Sequence, residues 1–570
     1  METGKPQNPE KLGFEASPCA LIVCSAVEKN RKGQSTIVQK GFTMQTRRDF
    51  VKNAATPLIL AGIAGTSVVG AANAEEAFEW DEETDVLVVG GGLAGMAAAV
   101  TVATEGDGAT CLLLEKGASE LGGGNSFFSS SCVLYGADGD EDNVFEFLKE
   151  LRHDDAYGTP DDVLQAYATE LCQNYRWLSS LGMDDAQVTF IPGGSNVACF
   201  PEYPELEHAS ACYTMMFSSG SYGHVVNFMY EVIQTLPQIT HKTLARLTSL
   251  VQDPQTKEIL GGVYEYDGAE VRVRANKGVV LTCGGFENSR EMMNNYFSQP
   301  TVKPVAAQNN TGDVHQICKR LGAAEWHMNC GAGFWNTVRK LDDSGWVIYN
   351  GAGNPKKEFG IMVGKNARRF YMDVDACCTN FWDDVNAGWS IDEAVGSRHG
   401  HMQFGGDWHL LPMPETSWFI FDQDALEAGV YAQQGEDPVA DGFGYSADTI
   451  EELAEKAGLS AANLVETIET WNSYCDAGKD LSFFRPASTL TPIRRAPFYI
   501  LHCEPQMLNT DGGPVRNAQG AIIDLDGNPI PRLFSAGEFG SVWSGHYQGA
   551  GNLGECLAFG RISARSALQG

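Results

Sequence analysis

A group of glycines near residue 90 has the residue type and spacing that could do chemistry. The pattern G-x-G-x-x-G is formed by Gly90, Gly92 and Gly95, with Ala94 inside it. Glycines so spaced let the backbone turn tightly and approach a pyrophosphate, whose charge the N-terminus of the next helix stabilises. Glu115, twenty residues after Gly95, is placed to accept hydrogen bonds from ribose hydroxyls. The pattern predicts a dinucleotide site and leaves NAD and FAD as alternatives.

The segments around these glycines have the periodicity that such a site needs. An apolar run at 85–89 predicts a buried parallel strand, the small residues of 96–104 predict a helix, and a second strand at 110–114 ends at Glu115. The stretch is therefore expected to fold as strand, glycine turn, helix and strand.

Later segments predict further elements. Residues 140–240 have helical spacing, and 258–283 have the pattern of a β-meander with its turn at Asp267-Gly268. A helix is expected near 449–478. From about 491 the strand and glycine-rich pattern returns, followed by a closing helix. Between about 326 and 490 the composition shifts towards Trp, Asn and Asp, which indicates a separate domain.

Length and charge exclude several classes of protein. The chain has 570 residues, more than one hydrophobic core normally supports, so two folded units are expected. The formal net charge of −33 argues against a nucleic-acid partner, which needs a basic face, and against docking on an anionic membrane surface. A small-molecule substrate is therefore the expected partner.

The N-terminal region has the order of an export signal. Basic residues at 47–52 precede an uncharged stretch at 53–74, which ends in the small-x-small pattern Ala72-Asn73-Ala74. Arg47-Arg48 and the residues after them resemble a twin-arginine signal, so residues 44–74 are predicted to be cleaved and the protein to be periplasmic or otherwise extracytoplasmic. Residues 1–43 are a candidate start-site extension. No later apolar run is long enough to span a membrane.

The cysteines do not predict a metal site. The chain has 15 cysteines and no C-x-x-C, so the spacing of a tetrahedral zinc site is missing and no metal is predicted. Buried thiols are the favoured interpretation. Disulfides or an iron–sulfur cluster built from scattered cysteines stay open as alternatives.

Several further stretches resemble a flavoprotein family that includes fumarate reductases and 3-ketosteroid dehydrogenases. They occur in the family's order over about residues 83–567. The matching stretches are Glu115-Lys116, Gly122-Gly123-Gly124-Asn125-Ser126, Leu281-Thr282-Cys283-Gly284-Gly285-Phe286, Thr311-Gly312-Asp313, Leu533-Phe534-Ser535-Ala536-Gly537-Glu538 and Gly549-Ala550-Gly551-Asn552-Leu553-Gly554.

The resemblance implies FAD as the cofactor and an α/β fold. We expect a Rossmann-like FAD-binding domain that is discontinuous in sequence, at 80–325 and 491–570, with an inserted α+β capping domain at 326–490. Residues 123–126 would lie near the pyrophosphate and flavin, Glu538 on the ribityl side, and a helix at 552–567 would direct its N-terminus at the flavin. The implied cofactor residues are Gly90, Gly92, Ala94, Gly95, Glu115, Lys116, Gly123, Gly124, Asn125, Ser126, Gly284, Gly285, Asp313, Gly537, Glu538, Asn552 and Leu553.

A stretch near the C-terminus resembles the substrate site of ketosteroid dehydrogenases. Residues 544–551 match their pattern G-H-x-Y-x-G-x-G with one residue dropped. In that family the tyrosine hydroxyl and the last glycine amide hold the substrate ketone. Carried over to this chain, Tyr547 and Gly551 would form an oxyanion-hole-type pair that stabilises a developing enolate.

Two positions depart from the fumarate reductase pattern. Those enzymes place an arginine in G-x-N-R-L-G to clamp a substrate carboxylate, and Asn552 stands at that place. A histidine is expected before the paired glycines, where this chain has Asn509-Thr510-Asp511-Gly512-Gly513. Without a bidentate clamp a dicarboxylate would be poorly held, so an enone or ketone substrate is favoured.

The proton-transfer residue is left open by the sequence. Residues 366–373 resemble the family's G-x-R-F-x-N-E stretch, in which an arginine acid or a tyrosine base follows eight residues after the arginine. Counting from Arg369 reaches a cysteine instead. The candidates are Cys377, Tyr371, Tyr349, Arg398 and His401.

Together these features predict an exported FAD-dependent oxidoreductase that acts on CH–CH bonds. The leading hypothesis is a reductase of the cardiac glycoside reductase type, which saturates a carbon–carbon double bond conjugated to a ketone or lactone on a steroid-like or polycyclic substrate. The alternative is a 3-ketosteroid-type dehydrogenase that runs in the oxidative direction. A fumarate-type reductase and a non-enzymatic flavin electron carrier are further alternatives. The chain has no haem motif, so a separate cytochrome- or quinone-linked electron partner is expected.

The expected role of Tyr547 is testable. Tyr547→Phe should keep bound flavin yet lose most turnover, because removing one oxyanion-hole donor raises the barrier by about 3 kcal/mol. Steady-state turnover and the flavin absorption spectrum of the purified variant measure both effects. Activity within about twofold of wild type would show that the hydroxyl does not polarise the substrate.

Overall fold

The residues around the glycine turn fold as strand, helix and strand, as the sequence predicts. The computed structural model describes residues 79–570 apart from 153–157, 192–206, 218–222, 298–300, 333–334, 343–356, 372, 374–413, 432–436, 484, 486 and 545–549. The predicted signal and the candidate start-site extension lie outside the described residues.

In the first part of the described chain, strands and helices alternate. Towards the C-terminus, strands predominate until the final helix. The strands are β1 Glu82–Val89, β2 Cys111–Leu114, β3 Cys132–Gly136, β4 Val188–Ile191, β5 Cys212–Phe217, β6 Ile239–Lys242, β7 Arg246–Gln252, β8 Ile259–Tyr266, β9 Ala269–Leu281, β10 Lys303–Pro304, β11 Glu325–Trp326, β12 Gly331–Ala332, β13 Trp335–Val338, β14 Ile361–Gly364, β15 Ser417–Asp422, β16 Gly444–Ala447, β17 Phe498–Met507, β18 Asn509–Thr510, β19 Gly513–Pro514, β20 Ala521–Ile523 and β21 Pro529–Ser535. The helices are α1 Leu93–Glu105, α2 Asn125–Phe128, α3 Glu141–Arg152, α4 Asp161–Leu171, α5 Asn174–Ser180, α6 Val225–Gln234, α7 Arg290–Tyr296, α8 Asp313–Arg320, α9 Gln423–Glu427, α10 Ile450–Ala457, α11 Ala461–Ala477 and α12 Gly551–Gln569.

An eight-stranded sheet carries the glycine turn. Its order is β20-β21-β9-β1-β2-β6, and β8 pairs with both β9 and β7. β1 is parallel to both of its neighbours, β2 and β9. In open parallel sheets, ligands bind at the carboxyl ends of the strands where the strand order reverses. The turn at Gly90 follows the carboxyl end of β1, so it lies where a ligand is expected.

Helices α1 and α12 pack closely against each other. All residues of α1 from Leu93 to Ala103 are buried. Small residues are required at this contact, because a Cβ on Gly560 would lie 2.8 Å from the carbonyl oxygen of Ala94 and 2.8 Å from the Cβ of Ala97. The small-residue composition of α1 therefore follows from the approach of a helix more than 400 residues later in the chain.

A second, six-stranded sheet is centred on β17. β15 and β16 pair antiparallel with it, as does β13, and β14 extends the sheet beyond β15. Helices α10 and α11 cover one face through an apolar cluster that includes Ile420 and Trp471. Two buried arginines, Arg369 and Arg485, form ion pairs with the buried Asp373 next to this cluster (3.1 and 3.0 Å). Breaking such a pair leaves an uncompensated buried charge, so the pairs strongly constrain the segment that ends at Asp373.

The observed elements agree with most of the sequence predictions. The turn at Asp267-Gly268 joins β8 to β9, with φ values of 50° and 78° that suit a tight hairpin. The helix expected near 449–478 is two helices, because Gly458 ends α10 in the left-handed region. Residues 140–240 contain β4 and β5 as well as helices, and these strands were missed because they are stabilised by pairing with each other and with the distant β3.

The α/β fold class is confirmed by this architecture, in which parallel strands carry the glycine turn and helices pack against them. The domain boundaries stay a prediction. Among the described residues, no helix has both the length and the apolar character needed to cross a membrane.

Candidate cofactor and substrate site

A cavity that is open to solvent begins at the glycine turn after β1, and its empty space, including the open mouth, is about 850 Å³. Many of the predicted cofactor residues line it, namely Gly90, Gly92, Ala94, Glu115, Lys116, Gly124, Asn125, Ser126, Gly284, Asp313 and Glu538. Residues that are distant in sequence are therefore brought together in one cavity.

The remaining predicted cofactor residues, Gly95, Gly123, Gly285, Gly537, Asn552 and Leu553, are not among those that line the cavity. Two of the glycines among them allow close approaches behind it. A Cβ on Gly95 would lie 1.9 Å from the carbonyl oxygen of Gly90, and one on Gly285 would lie 2.4 Å from Glu287 Oε2. These two glycines shape the cavity wall from behind.

The glycine turn leaves space and donors where a phosphate would bind. Gly90 has φ +108°, and a Cβ there would lie 2.3 Å from the carbonyl oxygen of Thr282. Gly92 precedes α1 without capping it through a side chain, and Gly124 has no heavy atom within 4 Å of a Cβ position. The first N–H groups of a helix have no intrahelical partner, so the start of α1 is suited to an anion.

Glu115 at the end of β2 is held as an acceptor. Its Oε2 accepts a hydrogen bond from the backbone N–H of Gly91 (2.8 Å), and its Oε1 accepts one from Gly117 (2.6 Å). Burial raises the pKa of Glu115, and the two backbone donors oppose this shift. Both oxygens keep a lone pair that ribose hydroxyls could use.

Lys116 and Asp313 form a polar cluster at the cavity wall. Lys116 Nζ donates to Thr311 Oγ1 (2.7 Å) and to Asp313 Oδ2 (3.2 Å), and Arg246 Nε donates to the same carboxylate oxygen (3.1 Å). Burial opposes ionisation of Asp313, but the charge of Lys116 and the hydrogen bonds of Thr311 and Arg246 outweigh it and lower its pKa. The cluster links the end of β2 to α8.

A chain of buried polar side chains leads to the start of α12. Asn552 Nδ2 donates to Asn509 Oδ1 (3.0 Å), and Asn509 Nδ2 donates to Asp511 Oδ1 (2.8 Å). Asn552 Oδ1 is buried and has no hydrogen-bond partner among the described residues. The two positions that depart from the fumarate reductase pattern therefore contact each other directly, as a pair of neutral amides.

Only part of the predicted catalytic set can be placed. Gly551 begins α12, and its carbonyl accepts a hydrogen bond from the hydroxyl of Tyr167 (3.1 Å). Tyr371 is buried in the apolar core of the second sheet with its ring stacked on Phe370, and it is not among the residues that line the cavity. The other predicted catalytic or proton-transfer residues, Tyr547, Cys377, Tyr349, Arg398 and His401, lie outside the described residues.

Several cavity or near-cavity residues were missed by sequence reasoning. Arg246 and His315 line the cavity, and Glu287 contacts the predicted cofactor residue Asn125 through its carboxylate. Glu287 directly follows the recognised Gly284-Gly285-Phe286, so its position next to a motif was a usable signal. No sequence motif marks Arg246. It lies at the cavity because β7, which it begins, pairs with β8 in the sheet.

Parallel strands with a glycine turn, a carboxylate acceptor and a cavity at their carboxyl ends define a dinucleotide-binding protein. Residues 85–553 match the family model described as FAD binding domain. The chain belongs to this family. The cofactor is FAD, as predicted, and the protein is an FAD-dependent oxidoreductase that acts on CH–CH bonds.

Characterised relatives extend over most of the chain. It is 26% identical to digoxin reductase of Eggerthella lenta in an alignment of 575 positions, which covers 91% of this chain and 96% of the relative. It is 27% identical to a probable fumarate reductase of Shewanella frigidimarina over 514 residues, covering 86% and 75%. The two relatives are named for different substrates, so family membership alone does not select one.

A solved structure has the same fold. The 3-ketosteroid Δ4-(5α)-dehydrogenase of Rhodococcus jostii, in complex with 4-androstene-3,17-dione, superposes with a TM-score of 0.62 at 23% identity. The match covers 87% of this chain and 99% of that structure. At this identity the likeness establishes the fold only.

The cavity of this structure fits FAD. The open space at Gly124 and the N-terminus of α1, whose first N–H donates to Ser126 Oγ (3.2 Å), suit a pyrophosphate, and the Glu115 carboxylate suits a ribose. The cavity continues past Asn125 to Glu538 and Cys556, so it reaches the helix α12. This extent matches a dinucleotide better than a mononucleotide.

The buried Asp511 makes stability depend on pH. Burial and the charge of Glu555 raise the pKa of Asp511 well above its usual range. The folded state therefore binds the proton more tightly than the unfolded state. As pH rises above about 4, Asp511 lowers the free energy of unfolding by up to about 1.4 kcal/mol per pH unit, and this decrease stops once the pH passes the raised pKa of Asp511.

Asp511→Asn should remove this pH dependence, because the carboxamide keeps the acceptor for Asn509 and cannot ionise. We expect its thermal midpoint to exceed that of wild type at about pH 7 and the two to converge near pH 4. Thermal melts of the flavin-loaded proteins at several pH values measure this. A lower midpoint for the variant at neutral pH would show that the folded protein uses an ionised Asp511.

Proposed function

We propose that the protein is an exported reductase that saturates a carbon–carbon double bond conjugated to a ketone or lactone, on a steroid-like or polycyclic substrate. The name and near full-length coverage of the digoxin reductase relative support this substrate class. The absence of an arginine at position 552 argues against a dicarboxylate.

The contact between Asn552 and Asn509 is the observation that carries this proposal. Both side chains are buried, and they bind each other and Asp511. The one ionisable side chain of these three is Asp511, an acid, so the three side chains offer no positive charge to a substrate carboxylate. A dianion bound beside these three side chains would lose hydration for which they offer no opposite charge, whereas a neutral carbonyl compound loses much less.

The proposed site would hold the substrate carbonyl at the start of α12. The backbone N–H of Gly551 is among the first of the helix, which have no intrahelical acceptor. With the hydroxyl of Tyr547 it would donate to the carbonyl oxygen, more strongly as negative charge develops on that oxygen. FAD, when bound, supplies the group that exchanges a hydride with the substrate. The predicted cofactor residues that line the cavity would contact FAD, and Gly95 and Gly285 would shape the wall behind it.

The proton that completes saturation must come from a nearby acid. The candidates remain Cys377, Tyr371, Tyr349, Arg398 and His401. Of these, Tyr371 packs in the core of the second sheet, which disfavours it.

The same groups would also stabilise an enolate in the oxidative direction. A 3-ketosteroid-type dehydrogenase is therefore the second candidate, supported by the likeness of residues 544–551 to that family's pattern. In either direction electrons must enter or leave through another protein or a quinone, so a separate electron-transfer partner is proposed.

The substrate class can be tested on the purified, flavin-loaded protein without oxygen. The flavin is reduced with a viologen dye, and its reoxidation is followed with ring enones, steroids, cardenolides, cinnamates and fumarate. We expect a ring enone or lactone to reoxidise the flavin rapidly, because its carbonyl needs only neutral donors. Reoxidation by fumarate alone would contradict the proposal, and silence with every compound would favour the oxidative direction or a carrier role.

A matched pair of variants tests the amide contact in the same assay. Asn552→Arg introduces a cation beside Asn509, and it should increase reoxidation by fumarate at least about tenfold, since a hydrogen-bonded ion pair contributes about 1.5–3 kcal/mol. Asn143→Arg adds the same charge at an exposed position of α3 and should have no effect. Equal responses of the two variants would rule out position 552 as the discriminating site.

Export through the twin-arginine pathway is a separate proposal. Replacing Arg47 and Arg48 together by lysine should retain the unprocessed protein in the cytoplasm, because the pathway reads the arginine pair. Cell fractionation with mass spectrometry of the N-terminus measures location and cleavage. Normal export of the double variant would contradict the twin-arginine assignment.

A further inference from the structure

Two carboxyl groups meet at the part of the cavity near α12. Glu538 lines the cavity, and Glu287 is buried behind it. A single nitrogen, Asn125 Nδ2, donates to Glu287 Oε1 (2.9 Å) and to Glu538 Oε2 (3.0 Å). Neither carboxyl forms an ion pair with any described residue. Two like charges this close in a buried place are strongly unfavourable, so one carboxyl is expected to hold a proton.

The hydrogen bonds indicate which carboxyl holds the charge. Besides Asn125, Glu287 accepts hydrogen bonds from Asn310 Nδ2 (2.8 Å), from Thr510 Oγ1 (3.1 Å) and from the backbone N–H of Thr510 (3.4 Å). The only donor that Glu538 has among the described residues is Asn125. Donors stabilise the ionised form of a carboxyl, so the negative charge belongs on Glu287.

The bridging amide cannot reverse this assignment. Asn125 Oδ1 accepts a hydrogen bond from the backbone N–H of Ala307 (3.0 Å), which fixes the oxygen on that side and the nitrogen towards the two carboxyls. A flipped amide would place its oxygen against two carboxyl groups and its nitrogen against a donor. The arrangement therefore offers Glu538 no second donor.

We infer that Glu538 is protonated at neutral pH, kept so by the charge on Glu287, and that it presents a neutral carboxyl with an O–H donor to the FAD cavity. This inference rests on the cofactor and not on the identity of the substrate. It assigns to Glu538 a role opposite to that of Glu115, which lines the same cavity as an acceptor on both oxygens.

The surrounding charges act in the same direction. Burial first, and then the charge of Glu287, raises the pKa of Glu538 well above its usual range. The carboxylate of Glu555 adds further negative charge. The nearby cation, Arg516, is bound by Glu555 (2.9 Å) and by the carbonyl of Gly537 (2.6 Å). Cys556, whose own pKa burial raises, adds no positive charge.

The inference is tested by the affinity of the apoprotein for FAD, measured by quenching of flavin fluorescence from neutral to alkaline pH. The affinity of wild type should fall as Glu538 loses its proton, by up to about tenfold per pH unit above its pKa. Glu538→Gln keeps a neutral donor, so it should stay within about threefold of wild type at pH 7 and lose the pH dependence.

Two variants in the same cavity serve as controls. Glu115→Gln should weaken FAD binding at least about tenfold at every pH, because the amide turns an N–H donor towards a backbone N–H. Glu287→Gln removes the charge that keeps Glu538 protonated, so its loss of affinity should begin at lower pH than in wild type. These readouts do not involve a substrate, so they are independent of the proposed reaction.

A second measurement covers variants that do not yield stable apoprotein. Infrared difference spectra between flavin-loaded wild type and each variant at neutral pH should show the loss of one carboxylic-acid carbonyl band in Glu538→Gln and no such loss in Glu115→Gln. A Glu538→Gln variant that loses FAD as severely as Glu115→Gln, or one that keeps every carboxylic-acid band of wild type, would overturn the inference.

Discussion

The close contact between α1 and α12 is the constraint on which the site depends. It is possible only because Gly560 faces Ala94 and Ala97, where a single added methyl group would overlap backbone and side-chain atoms. The ion pair of Arg516 with Glu555 joins α12 to the strands that precede it. Since α1 begins at the cavity and α12 reaches it at Cys556, this contact brings helices that are far apart in the sequence to one cavity.

The two parts of the cavity treat charge in different ways. Near the glycine turn, the N-terminus of α1 offers partial positive charge for a phosphate, and the cations Lys116 and Arg246 are paired with Asp313. Near α12 the titratable side chains are mainly acids, which include Glu287, Asp511 and Glu538. Burial raises the pKa values of these acids, and the charge of the Glu287–Glu538 pair rests on Glu287 behind the cavity, so the carboxyl of Glu538 that faces the cavity is neutral. Such surroundings suit the uncharged part of a cofactor and a neutral substrate.

The fold could be predicted where the signal is local. The apolar run before Gly90, the alternation of β8 and β9 and the turn at Asp267-Gly268 are properties of short stretches. The strands β4 and β5 were not found, because they are stabilised by pairing with neighbouring strands and not by their own pattern. The same reason explains Arg246, which no motif marks and which reaches the cavity from a neighbouring strand.

The sequence by itself determined the class of protein and its cofactor, because the spacing of glycines and acids that binds a dinucleotide lies within continuous stretches of chain. It also marked Asn552 and the stretch 509–513, which begins with Asn509, as departures from the fumarate reductase pattern, but as separate places in the chain. Only the tertiary structure decided that these amides touch, that Glu287 stands behind Glu538, and that Tyr371 lies in a core. Each of these facts depends on a distance between residues that are far apart in the chain, and hydrogen bonding and burial act through such distances and not through order in the sequence.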